Sequence, residues 1–143
     1  MTTYIVATDA ARARVFAYAA GKMNEVEDLS HPESREHTGD LRTGGKGESG
    51  GGGGANLRQT GNDDATSDKH AMFFAKEVAG YLKDARSQGK ADSFVIIAEP
   101  RFLGLLRDKM DSNTRDMVVR ELDKDLSKAS KEKIAEALGK PYA

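Results

Sequence analysis

Two uninterrupted apolar runs, Tyr4-Ile5-Val6-Ala7 and Phe94-Val95-Ile96-Ile97-Ala98, constrain the fold most. Apolar side chains at every position leave neither face of a strand suited to water. Such strands lie in the middle of a sheet with helices on both faces, the usual setting of parallel strands. Ala13–Tyr18 (ARVFAY) supplies another strand, with Val15 and Phe16 fit for a pleated surface. Ala20-Gly21-Lys22 offers a turn, and Met23–Leu29 continues as a polar third strand suited to a sheet edge.

Three helices complete the pattern. Ala71, Phe74, Ala75, Val78, Leu82 and Ala85 recur at three- and four-residue spacing, which makes one apolar stripe. Ser67 is the expected N-cap of that helix and Gly89 its closing glycine. Pro100 suits the first turn of a helix carrying Phe102, Leu103, Leu105 and Leu106. After a short helical turn, Val118–Leu122 reads as a strand with Val118, Arg120 and Leu122 on one face. Ser130 caps a last helix with Ile134, Ala135 and Leu138, stopped by Gly139 and Pro141. Three strands followed by helix, strand, helix, strand, helix give an α/β fold. Its mixed sheet has about five strands, in an order similar to the ribonuclease-H-like arrangement. With 143 residues the chain fits one domain.

From Ser30 to Ser67 the character changes. Leu41 and Leu57 are the only large apolar residues, and ten of the fifteen glycines fall between Gly39 and Gly61. Such a stretch buries too little apolar area to offset an ordering cost of about 1–2 kcal/mol per residue. Residues 38–66 are therefore expected to form a long flexible loop, either a functional arm or a tolerated surface insertion.

Composition excludes several classes. There is no Cys, so disulfides and thiolate metal sites are out. His31, His37 and His70 lack zinc spacing, and no metal or cofactor is expected. No G-x-x-x-x-G-K-[ST] or G-x-S-x-G motif is present, and no nucleophile triad can be assembled. The formal charge of −1 supplies no overall field towards nucleic acid, so any such contact needs a local patch. The N-terminal apolar stretch is too short for a signal segment, which points to a cytoplasmic protein.

Three sets of residues carry candidate chemistry. Arg12, Arg14, Arg101 and Arg107, with Lys69, Lys76 and Lys83, make a phosphate-facing patch or an ordinary solvated face. Phe73 and Tyr81 share the helix with those lysines and are candidates for base stacking. Asp9, Glu99 and Asp123, with Asp125 beside it, follow strands, where ribonuclease-H-like nucleases gather acids around metal ions. The plainer reading is capping and solvation. In the loop, Gly44, Gly45, Lys46, Gly53, Gly54, Arg58 and Gln59 are the binding candidates, since glycine lets a backbone approach phosphate closely.

The segments DAARARVF (9–16), EDLSHPESREH (27–37), EPRFLGLLR (99–107) and RELDKDL (120–126) resemble the bacterial host-attachment protein family. The resemblance runs from about Tyr4 to Leu138. That family in turn is similar to the middle domain of eukaryotic and archaeal peptide-chain release factors. There, a loop ahead of a long helix carries Gly-Gly-Gln into the ribosome's peptidyl-transferase centre. The resemblance implies a ribosome, rRNA or tRNA contact, or a protein partner, made by the glycine-rich loop. Here Gly44-Gly45 precedes Lys46, Gly53-Gly54 precedes Ala55, and Gln59 follows Arg58. Gly-Gly-Gln is absent, so the resemblance implies binding without peptidyl-tRNA hydrolysis. The alternatives are a metal-dependent nuclease or phosphodiesterase using the strand-end acids, and an indirect role in attachment to host cells.

Overall fold

In the computed structural model the described residues are 1–30 and 60–143, with the backbone alone described for 60–67. The elements are β1 (Thr3–Thr8), β2 (Arg12–Ala19), β3 (Lys22–Ser30), α1 (Thr60–Ser87), β4 (Ser93–Ala98), α2 (Pro100–Lys109), α3 (Ser112–Arg115), β5 (Val118–Leu122) and α4 (Lys131–Leu138). The five strands form one sheet in the order β3-β2-β1-β4-β5. β1 pairs antiparallel with β2 and parallel with β4, and β5 joins β4 in parallel. The sheet is mixed, with the polar β3 at one edge, as its composition implies.

The two apolar runs occupy the centre. Tyr4 and Val6 of β1 and Phe94, Ile96 and Ala98 of β4 pack under α1 and α2. Their alternates, Ile5, Ala7, Val95 and Ile97, pack with Ile134 and Leu138 of α4 on the other face. Period-two alternation thus feeds two cores from the same strands, which is why neither run tolerates a polar position.

Local signals set the element ends. Gly89 adopts φ 71°, and its N–H reaches the Arg86 carbonyl while that of Lys90 reaches Ala85. That paired closure satisfies two otherwise orphaned helix carbonyls. Pro100 opens α2, and Ser130 Oγ accepts from the Lys133 N–H at 3.1 Å to cap α4.

The structure corrects two expectations. α1 starts at Thr60, so Ser67 lies inside the helix instead of capping it, and Gly61 belongs to its first turn. The added stretch TGNDDAT has no large apolar residue, so hydrophobic periodicity could not reveal it. In β5, a register shift between Phe94 and Val95 of the partner strand leaves Val119 unmatched. This bulge puts Val118 and Leu122 against opposite cores instead of on one face.

Candidate functional site

The C-terminal ends of the parallel strands β1 and β4 converge beside the first core-packed turn of α1. Asp9 follows β1. Its Oδ1 accepts the Ala11 and Arg12 N–H groups, each at 2.8 Å, closing the turn into β2. Its Oδ2 accepts from the Ser127 hydroxyl at 2.9 Å. That hydroxyl also lies 2.9 Å from Asp125 Oδ1; having one proton, it serves one carboxylate at a time. Ser127 is fully buried.

Glu99 follows β4 and turns back on its own helix. Its carboxylate accepts the Phe102 N–H at 2.6 Å and the Arg101 N–H at 3.3 Å, acting as the N-cap of α2. Asp123 follows β5 and is exposed. Among the described residues, no group of three or more His, Asp or Glu is close enough to hold a metal ion. The three strand-end acids share one edge of the sheet, yet two of them spend their lone pairs on backbone.

Arg101 forms an exposed ion pair with Asp68 of α1. Together with Ala10, Ala71, Glu99, Phe102 and Leu105 they line a cleft of about 230 Å³ at this strand edge. The binding candidates Gly44, Gly45, Lys46, Gly53, Gly54, Arg58 and Gln59 lie outside the described residues.

The remaining arginines are built into the scaffold. Arg12 forms a two-pronged pair with Asp28 on β3, at 3.1 and 2.7 Å. That hydrogen bond, with the charges of Asp28, Glu25 and Asp9, holds the guanidinium above its ordinary pKa despite partial desolvation. Arg14 pairs with Glu25 at 3.2 Å, stacks 5.1 Å above the Phe16 ring and donates to the Ser127 and Ala129 carbonyls. Arg107 pairs with Glu121. Sequence reading named these arginines without their partners. The hairpin register, which sets Glu25 and Asp28 beside β2, was the missing information, as was the Asp125-x-Ser127 turn.

The stacking candidates separate. Phe73 is 51 % exposed on the outer side of α1. Tyr81 packs against the core, and desolvation, with smaller effects of Tyr4 and Glu27, pushes its phenol up to about 12. Lys69, Lys76 and Lys83 are all exposed.

A family model described as "Protein required for attachment to host cells" matches residues 4–138. The chain belongs to that family. Among curated proteins, none matches the sequence of this host-attachment family member. Eleven chains of solved structures do match it. One is the archaeal translation termination factor aRF1, with a TM-score of 0.56 and 9 % sequence identity. The match covers 99 % of this chain and 35 % of that one, so the host-attachment chain spans about a third of its length. At that identity the likeness is one of fold. No helix among the described residues is long and apolar enough to cross a membrane.

Proposed function

We propose that this host-attachment family member is a non-enzymatic RNA-binding protein of the cytoplasm. Ribosomal RNA or tRNA would be the partner, met by the glycine-rich stretch of residues 39–61, and the effect on attachment would be indirect. The observation that carries the reading is the location of that stretch. It joins β3 to α1 in a fold like that of a translation termination factor. Further support comes from chemistry. Asp9 and Glu99, which a nuclease of this topology would need on metal, hold a turn and a helix cap. Gly-Gly-Gln is missing, so occupancy of an RNA site is favoured over ester hydrolysis.

The test is capture of partners from bacterial lysate by the tagged full chain, with and without ribonuclease. RNA in the catch that disappears with ribonuclease is the expected result. A catch made only of protein and indifferent to ribonuclease would overturn the RNA reading and favour a protein partner.

A further inference from the structure

The outward ridge of α1 is built unlike an ordinary solvated helix face. At 3.6 residues per turn, Lys69, Lys76 and Lys83 advance by seven and stay within about 40° of one line along the helix. Phe73 and Gly80 fall on the same side, each between two of these lysines, and Met72 flanks them. All six are exposed, with Met72 at 42 % and Phe73 at 51 %.

Solvated helices usually interleave opposite charges at positions three or four apart. Here the neighbours of Lys69 at those spacings are Ala65, Thr66, Met72 and Phe73. Those of Lys76 are Met72, Phe73, Ala79 and Gly80, and those of Lys83 are Ala79, Gly80, Arg86 and Ser87. No lysine of the ridge has an acid at helix-pairing distance along its own helix. Glu77 and Asp84 each follow a lysine by one residue and stand four after Phe73 and Gly80, so they border one side of the ridge.

Gly80 adds an independent observation. A glycine in a helix interior is destabilising by roughly 0.5–1 kcal/mol relative to alanine. Close packing does not demand it, because a Cβ at Gly80 would meet nothing within 4 Å. Its effect is to leave the ridge bare between Lys76 and Lys83, where a backbone of another molecule can come close to the helix.

We propose that Lys69, Phe73, Lys76, Gly80 and Lys83 form a docking surface for single-stranded RNA. The lysines meet phosphates along the strand, the Phe73 ring stacks under a base, and the sugar-phosphate chain crosses at Gly80. Charge complementarity selects a polyanion, and an exposed ring between cations selects unpaired bases. This inference rests on the RNA reading but uses different residues from the glycine-rich stretch, so the two fail separately.

The experiment is fluorescence anisotropy of a labelled oligouridylate at several salt concentrations, with thermal melts on every variant. Phe73→Ala is expected to weaken binding about ten-fold through lost stacking. Lys76→Ala combined with Lys83→Ala should reduce the salt slope by about 1.4, at roughly 0.7 per phosphate contact on a single strand. Gly80→Leu should raise thermal stability and weaken binding together, a combination that a merely structural glycine does not give. A chain lacking residues 44–61 is the separating control. If it loses RNA while the ridge variants keep full affinity, the ridge proposal is overturned and the glycine-rich reading stands. If the ridge variants lose RNA and the deletion keeps it, the ridge stands alone. No binding by the unaltered chain at low salt overturns both.

Discussion

Asp9 and Ser127, 118 positions apart in the chain, meet at 2.9 Å through carboxylate and hydroxyl. The contact ties the turn after the first strand to the connection that leads into the last helix. Arg14 reinforces it by donating to the Ser127 and Ala129 carbonyls. Ser127→Ala removes one part-buried hydrogen bond and leaves the half-buried Asp9 without that donor. The expected loss is about 1 kcal/mol in urea unfolding with an unchanged slope. A variant as stable as the parent would show that the contact contributes nothing.

Glu99 is a helix cap. Glu99→Ala should lower stability by about 1 kcal/mol, and Mg²⁺ should leave the melting temperature of the parent and the variant unchanged. A Mg²⁺-dependent rise in the parent that vanishes in the variant would instead mark Glu99 as a metal ligand.

Phe73 and Phe74 are adjacent in sequence and opposite in role. Phe74 is fully buried against Phe102, with ring centroids 6.0 Å apart. Phe74→Ala should destabilise by about 3–5 kcal/mol, whereas Phe73→Ala should stay within about 0.5 kcal/mol of the parent. Equal losses in chemical denaturation would mean that the helix is rotated relative to the sheet.

Tyr81 gives the fold an alkaline signature. Its phenol is raised from 10.0 to about 12, so the folded state favours the neutral ring. The stabilisation is fully present below pH 10, the unfolded value, and is lost as pH rises towards 12. Phenolate absorbance should show a late step near pH 12, and Tyr81→Phe should remove that step. Its unfolding free energy should also fall less steeply over the same range. A Tyr81→Phe titration that keeps the late step would contradict the assignment.

Much of this architecture was legible in the residues because burial leaves a pattern. Two-sided burial produced the apolar runs of β1 and β4, and Gly89, Pro100 and Ser130 marked element ends through backbone rules that act locally. The first turns of α1 were illegible for the converse reason: TGNDDAT packs no large apolar side chain, so nothing periodic betrays it. The β5 bulge was hidden because a register shift depends on the neighbouring strand. At the candidate site, the positions of Asp9 and Glu99 at strand ends could be read. Their engagement with Ser127 and with the α2 backbone could not, since both depend on the three-dimensional path. The outward direction of Phe73 and the inward one of Tyr81 likewise required the helix to be set on its sheet.

The central claim is that residues 39–61 are needed for the ribosome contact. The most direct measurement is sedimentation of purified bacterial ribosomes with the full chain and with a chain lacking residues 44–61, at low salt. The full chain should pellet with ribosomes, and the shortened chain should stay in the supernatant while melting within a few degrees of the parent. A full chain that never pellets, or a shortened one that pellets equally well, would contradict the account.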